Sequence, residues 1–256
     1  MNSDELQLFH EQGFLLARNV LPREEALAIR PLLQKAIDED IARWGDNPNY
    51  LDKWMVHNLM TRGEAFLKLL ELDRMHQYLS AVLDDRCILY AYTSSSMPPR
   101  GANYSRRVHV DCPRLIPGYI TNVGWLLALD DFTDENGATY ALPGSHRSVA
   151  QPSDDEFFSH AVRWYPSAGD AILFNARVFH SGGENKTNVA RHAITMNVCR
   201  SYMRQRFDYP RAVPPELVQR LGEVGRRFLG FNVRVPSSLD EYYVPAADRL
   251  YLPGQG

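Results

Sequence analysis

The spacing of apolar residues changes once along the chain, near residue 87, and this change limits the possible folds more than any other feature. Before it, apolar residues recur at helical spacing, as in Ala26, Ile29 and Leu33. After it, short segments rich in Val, Ile, Tyr, Phe and Thr alternate with turn signals such as Asn136-Gly137. We predict strands in residues 87–93, 105–111, 119–130, 138–142, 170–180 and 191–202. Helices followed by a run of strands favour an α+β fold or an all-β core with a helical jacket over an alternating parallel sheet.

The 256 residues suit one domain, because the sequence contains neither an internal repeat nor a linker-like stretch. We predict a single domain over residues 1–256. Residues 1–85 would form a mostly helical N-terminal part, 86–205 the β core, and 206–256 a C-terminal helix and tail.

Prolines and apolar periodicity predict the helices in more detail. A helix should begin at Pro22, and Pro31 should kink or split it. The apolar residues of 63–83 predict one further helix. A C-terminal helix should begin at Pro214-Pro215 and reach about residue 230.

Composition and charge exclude several classes of protein. With 45% hydrophobic and 23% charged residues, the chain has the composition of a globular protein. Its net charge of −3 lacks the basic excess that binding to nucleic acid or an anionic membrane requires. Asp4 and Glu5 stand where a signal peptide is positively charged, and three cysteines are too few for a disulfide framework. We therefore expect a cytoplasmic protein with reduced thiols.

One histidine in the chain has a carboxylate two residues away, in His109-Val110-Asp111. On a strand, residues i and i+2 share a face, so both side chains can reach one ion. Such a pair alone arises too often by chance to be specific. His180 adds a second imidazole at the end of an apolar strand, 69 residues after Asp111. Two histidines and one carboxylate form the facial triad that holds Fe(II) with coordination positions left open.

Arg191 follows His180 by eleven residues, at the start of the next predicted strand. A hairpin of this length returns the guanidinium to the vicinity of the metal ligands. Its planar fork can pair in a bidentate manner with a carboxylate, so Arg191 is a candidate for binding an acidic co-substrate.

This order of His-x-Asp, His and Arg resembles the phytanoyl-CoA dioxygenase family of Fe(II)- and 2-oxoglutarate-dependent oxygenases. Further similar stretches are Ala128-Leu-Asp-Asp131, Leu142-Pro-Gly-Ser-His146 and Ala168-Gly-Asp-Ala-Ile-Leu-Phe174. The resemblance implies a mainly β fold with a helical jacket. Its core would be a double-stranded β-helix, a jelly-roll barrel with the N-terminal helices packed on one face.

The resemblance also implies the cofactors. His109, Asp111 and His180 would hold Fe(II), and 2-oxoglutarate would chelate it and place its far carboxylate on Arg191. Reaction with O2 would release succinate and CO2 and oxidise a substrate. Related halogenases replace the carboxylate ligand with a small residue, so the presence of Asp111 disfavours halogenation.

We assign three further residues to the co-substrate: Ser96, Asn122 and Trp125. Members of the family often carry Trp one position later than Trp125, so either the strand has a bulge or this indole faces away from the cofactor. Candidate substrate residues come from predicted strands and loops near the mouth of the barrel, and they are His57, Tyr92, Asn103, Arg107, Tyr119 and Asn197.

These polar side chains favour a small polar substrate, which could contain a sugar. The resemblance favours specialised metabolism such as antibiotic biosynthesis, with hydroxylation, ring closure or desaturation as outcomes. We expect a monomer or homodimer that binds no nucleic acid and no membrane. The alternative is a metal-binding jelly-roll protein or a zinc-dependent hydrolase, since zinc prefers the same ligands. Arg191 argues against the alternative, because a zinc hydrolase needs no fixed guanidinium there.

Overall fold

The computed structural model describes residues 1–252 and residue 254. Its α-helices are α1 (Ser3–Gln12), α2 (Arg23–Trp44), α3 (Glu64–Lys68), α4 (Asp73–Val82), α5 (Asp154–His160), α6 (Tyr209–Ala212), α7 (Pro215–Val218), α8 (Glu223–Phe228) and α9 (Leu239–Tyr242). Its strands are β1 (Phe14–Ala17), β2 (Ile88–Ser94), β3 (Asn122–Ala128), β4 (Tyr140–Ala141), β5 (Val162–Arg163), β6 (Ala171–Asn175), β7 (His180–Ser181) and β8 (Ala193–Cys199).

The strands form two antiparallel sheets. The larger has the order β1-β6-β3-β8-β2, and the smaller has the order β5-β4-β7. Strand β3 lies at the centre of the larger sheet, where Trp125 is opposite Leu173 on one side and Met196 on the other. The edge strand β1 comes from the N-terminal part and pairs Phe14 with Phe174. The N-terminal part therefore contributes a strand to the sheet as well as helices.

Alternate residues of β3 face two different apolar clusters, as the two-residue period of a strand requires. Trp125 and its neighbours at 123 and 127 pack into the large cluster that also contains Leu33 and Phe66 from the helical part. Leu126 faces the other way and packs with Phe174 and neighbouring residues in a smaller cluster. The helices thus cover one face of the larger sheet, and the opposite face is left for the smaller sheet and the cavity described below.

The strand predictions hold for most of the core but are wrong at one segment and part of another. Residues 105–111 form no strand: a 3-10 turn spans Tyr104–Arg106, and His109 then makes an isolated bridge to His180. The predicted strand 170–180 is interrupted, since β6 ends at Asn175 and His180 begins β7. The triad residues are therefore held by short bridges rather than by long strands.

The helix predictions need two corrections. Helix α2 is continuous from Arg23 to Trp44 with Pro31 inside it, so of the two expected effects of Pro31 the split does not occur. The predicted helix 63–83 is divided into α3 and α4, because Leu72 adopts an extended conformation with ψ 106°. The predicted C-terminal helix is two short helices, α7 and α8. Within the described residues, more residues lie in helices than in strands, so the prediction of a mainly β fold applies to the core alone.

No helix within the described residues is both long enough and apolar enough to cross a membrane.

Candidate metal centre and cavity

The three predicted metal ligands converge on one point. Nε2 of His109 lies 3.7 Å from Oδ1 of Asp111, and Nε2 of His180 lies 3.9 Å from the same oxygen. One ligand atom from each residue lies within 4.8 Å of the other two. Two ligands at about 2.1 Å from one ion can be at most about 4.2 Å apart. Both distances to Asp111 satisfy that limit, so each imidazole can share one divalent ion with Asp111.

The backbone sets the tautomer of both imidazoles. Nδ1 of His109 lies 2.8 Å from the carbonyl oxygen of Arg107, and Nδ1 of His180 lies 3.0 Å from that of Val178. Each Nδ1–H can donate to its carbonyl, which leaves the Nε2 lone pair for a metal. Burial and the neighbouring His180 lower the pKa of His109 to about 4, so its imidazole is neutral at neutral pH. Neutral imidazole is the form that binds metals.

Backbone pairing and aromatic packing hold the triad in place. His109 and His180 exchange two backbone hydrogen bonds of 3.0 Å, which brings their rings to a centroid distance of 4.2 Å. The ring of Phe174 packs edge-on against His180 at 5.2 Å. Space for Phe174 depends on Gly124, because a Cβ at that position would overlap the phenyl ring. A glycine in the central strand thus allows an aromatic side chain to support a metal ligand.

The triad lies in a cavity of about 510 Å³, a volume typical of small-molecule sites. The larger sheet contributes apolar and polar wall residues, including Leu126, Phe174 and Asn197. The segment between α2 and α3 contributes Asp52 and His57. One cavity therefore combines a potential metal site with an apolar wall and polar groups, as a small-molecule enzyme requires.

Arg191 is buried behind this cavity, with 1% of its surface exposed. It donates from Nη1 to the carbonyl of Ser95 at 3.1 Å and from Nη2 to that of Gly137 at 3.0 Å. Its guanidinium also packs on the ring of Phe132 at 4.0 Å, and Nε has no hydrogen-bond partner in the described part of the chain. Ser95 lines the cavity, whereas Arg191 does not. The guanidinium thus lies behind the wall residue Ser95, and its Nε–H has no acceptor in the described residues.

A partly buried carboxylate, Asp130, links the helical part to the strand that follows Arg191. Its Oδ1 lies 2.9 Å from Nε of Arg30 on α2, and its Oδ2 accepts a hydrogen bond of 2.7 Å from the amide of His192. Burial raises the pKa of Asp130, and the charge of Asp130 in turn favours the charged form of Arg191. Asp130 therefore compensates the charge of Arg191 and holds the backbone next to it.

We expect Asp130→Asn to lower the free energy of unfolding by about 1.5–3 kcal/mol, because hydrogen bonds to a charged group are worth that much. Urea denaturation measures the change. The matched control is Asp134→Asn, since Asp134 is 65% exposed in its ion pair with Arg163. Exposed pairs contribute less than about 1 kcal/mol. Equal stability of the two variants would contradict this role of Asp130.

The cavity contains half of the substrate residues that the sequence predicts. His57, Arg107 and Asn197 line it. The imidazole of His57 is hydrogen-bonded through Nε2 to Asp52, which also lines the cavity. Asn197 accepts a hydrogen bond of 2.9 Å from Asn122.

The other three predicted substrate residues lie elsewhere. Tyr92 is 1% exposed and donates to the carbonyl of Phe66 in the large apolar cluster. Asn103 is turned towards the backbone of Ser96 and towards Ser105. Tyr119 is 40% exposed and lines a different surface pocket. The two-residue period of a strand explains the orientation of Tyr92. Its neighbours Ala91 and Thr93 line the cavity, so the Tyr92 side chain faces the helices.

None of the three further residues assigned to the co-substrate lines the cavity. Ser96 is fully buried, and its hydroxyl lies 2.9 Å from Nδ1 of His192. Asn122 reaches the cavity only through its hydrogen bond to Asn197. Trp125 packs against Tyr78 on the helix side of β3, and the β3 register has no bulge. The indole therefore faces away from the cavity, and its assignment to the co-substrate is corrected.

Sequence reasoning missed several cavity residues. Thr195 could have been found, because it lies two positions before Asn197 on the same strand face. The others carry no local signal, since they come from loops or distant strands. The missed residues include Asp52, Thr93, Tyr104, Thr139, Trp164 and Arg206.

Comparisons with known proteins agree on one family. The sequence profile described as phytanoyl-CoA dioxygenase (PhyH) matches residues 9–193, which contain the triad and Arg191. An uncharacterized protein of Mycobacterium tuberculosis is 33% identical over 203 residues, or 77% of this chain and 74% of its own. Dioxygenase sphC of Aspergillus fumigatus is 25% identical over 250 residues, or 88% of this chain and 66% of its own.

Solved structures share the fold. The non-heme alpha ketoglutarate dependent carbocyclase SnoK from nogalamycin biosynthesis matches with a TM-score of 0.62 and 19% identity, over 87% of this chain and 91% of its own. AviO1 from Streptomyces viridochromogenes Tue57 matches with a TM-score of 0.60 and 24% identity, over 78% and 95%. The profile match and the dioxygenase relatives together show that this chain belongs to the phytanoyl-CoA dioxygenase (PhyH) family.

Proposed function

We propose that this chain is an Fe(II)- and 2-oxoglutarate-dependent dioxygenase that oxidises a small polar molecule. The observation that carries the proposal is the convergence of His109, Asp111 and His180 in a cavity with Arg191 behind its wall. Three protein ligands leave coordination positions for a chelating co-substrate and O2. Membership of a dioxygenase family supports the same chemistry.

The triad would hold the metal through Nε2 of His109, a carboxylate oxygen of Asp111 and Nε2 of His180. Bound Fe(II) would supply the activation of O2, coupled to oxidative decarboxylation of 2-oxoglutarate. The chain itself orients the ligands, through the carbonyls of Arg107 and Val178, and limits the access of water through apolar wall residues.

Arg191 would bind the far carboxylate of 2-oxoglutarate. Burial lowers the pKa of this guanidinium to about 9, which leaves it charged at neutral pH. No carboxylate within the described residues forms an ion pair with it at 4.0 Å or less. A dicarboxylate co-substrate would supply a direct ion-pair partner in addition to the more distant charge of Asp130, and Nε is a donor without a partner in the described residues.

The substrate would be a small polar specialised metabolite, a class that includes sugar-containing molecules. Polar side chains such as Thr93, Asn197 and His57 line the cavity beside the apolar wall, which supports this choice. The relation of SnoK to nogalamycin biosynthesis supports a role in antibiotic biosynthesis. We place the enzyme in the cytoplasm, where its three free cysteines would stay reduced.

The test is an anaerobic titration of the Fe(II)-loaded protein with 2-oxoglutarate. Binding is monitored through the weak visible charge-transfer band of the complex between Fe(II) and 2-oxoglutarate. We expect the band in the parent protein. Arg191→Gln should need about tenfold or more 2-oxoglutarate for half-saturation, because a hydrogen bond to a charged group is worth about 1.5–3 kcal/mol. Arg191→Lys should fall between the two, since it keeps the charge but loses the fork.

Arg163→Gln is the matched control, because Arg163 pairs with Asp134 and does not line the cavity. Circular dichroism and Fe(II) binding establish that each variant is folded. Absence of the band in parent protein with bound iron would exclude chelation of the keto acid. The metal-binding protein or zinc-dependent hydrolase would then be the better explanation.

A further inference from the structure

Among the charged side chains that line the triad cavity, each carboxylate has an assigned partner and neither arginine has one within the described part of the chain. Its carboxylates are Asp111, which is a metal ligand, and Asp52, which is hydrogen-bonded to His57. Its arginines are Arg107 and Arg206, and neither forms an ion pair within the described residues. Both arginines therefore present to the cavity a positive charge that no ion pair within the described residues neutralises.

Arg107 is held at the wall by an aromatic ring. Its guanidinium lies 4.1 Å from the ring centroid of Tyr104, which also lines the cavity. The preceding residue, Arg106, forms a 3.0 Å ion pair with Glu184 and does not line the cavity. Stacking uses the face of the Arg107 guanidinium, and its N–H edge has no acceptor among the residues that the structure describes.

Arg206 reaches the same cavity from the segment after β8. Its amide donates to the carbonyl of Tyr90 at 3.0 Å. The side chain of the preceding Gln205 donates to the carbonyls of Leu89 and Leu229 at 2.7 and 3.1 Å. The backbone of Arg206 is therefore anchored to β2, while its exposed side chain has no hydrogen-bond acceptor in the described residues.

We propose that Arg107 and Arg206 bind an oxyanion of the substrate, so that the substrate is a small molecule with a carboxylate, phosphate or sulfate group. This inference rests on the proposed function, because it takes the triad cavity as the substrate site. Guanidinium groups bind oxyanions through charge-assisted, often bidentate hydrogen bonds.

Saturation-transfer NMR on the full chain without added metal tests this inference independently of iron. The probes are phenyl phosphate, benzoate and the neutral phenyl β-D-glucoside, which share a phenyl ring. We expect at least one oxyanion probe to bind and the glucoside to bind more weakly. Arg107→Gln and Arg206→Gln should each raise the Kd of that probe about tenfold, from the value of a hydrogen bond to a charged group.

Arg204→Gln is the control, because Arg204 is exposed on the same segment but does not line the cavity. The probe whose Kd responds identifies the oxyanion as a phosphate or a carboxylate. An unchanged Kd in the double variant, equal binding of the glucoside, or no binding of either oxyanion would overturn the inference.

The charge-transfer titration is repeated on the double variant, which should retain the band. Loss of oxyanion binding with the band intact assigns the two arginines to the substrate. Absence of the band in the parent protein would refute the proposed function and leave the NMR result to stand by itself.

Discussion

Asp111→Ala is expected to lower Fe(II) affinity by more than about 100-fold, because loss of a residue that merely orients a ligand already costs about 10–100-fold. Asp111 is the carboxylate that both imidazoles face, at 3.7 and 3.9 Å. Without it, the site keeps two neutral nitrogen ligands and no negative charge. The conversion of 2-oxoglutarate to succinate should be lost together with the metal.

His109→Ala and His180→Ala should have the same effect, since each removes one of three ligands. Binding is measured with Mn(II) as a probe, by the EPR signal of the free ion. His160→Ala is the control, because His160 is exposed at the end of α5. Wild-type Mn(II) affinity in any triad variant would show that this residue is not a ligand.

Trp125→Ala is expected to lower the free energy of unfolding by about 3–5 kcal/mol, the usual cost of truncating a buried aromatic residue to alanine. Trp125 is 0% exposed and lies in the central strand, where it packs against Tyr78 and the helical layer. Its removal leaves a cavity between the sheet and the helices that neighbouring side chains can fill only in part. Urea denaturation measures the loss.

Trp44→Ala is the matched control, because Trp44 is 41% exposed at the end of α2. We expect it to cost less than half as much. Trp125→Phe should keep the 2-oxoglutarate titration of the parent protein, since the indole faces away from the cavity. A variant with normal stability but weakened 2-oxoglutarate binding would return Trp125 to the co-substrate site.

The candidate metal centre could be predicted from sequence because its signal is local. His109 and Asp111 are separated by one residue, and any extended backbone places such side chains on the same side. His109 and Asp111 lie close together as predicted even though residues 105–111 form no strand. An isolated bridge between His109 and His180 holds this segment in place. The expected hairpin between His180 and Arg191 is absent from the described residues, because β7 and β8 belong to different sheets, so the prediction for Arg191 rests on the family resemblance.

The orientation of strand residues was harder to predict. A strand buried on both faces lacks a polar side, so its residues do not reveal which face meets the cavity. All seven residues of β3 are buried. The sequence therefore does not show which of the adjacent residues Trp125 and Leu126 faces the cavity. The helical layer decides between them, because it covers the Trp125 face of the sheet.

The sequence by itself determined the family and predicted the candidate ligand set, because both depend on residue identity and on the order of short motifs. Only the tertiary structure decided which other side chains share the cavity. Asp52 and Arg206 lie more than one hundred residues apart in sequence and meet around the triad through the packing of a helical segment against β2. Contacts between such distant segments depend on how whole layers pack, and no local pattern of residues encodes them.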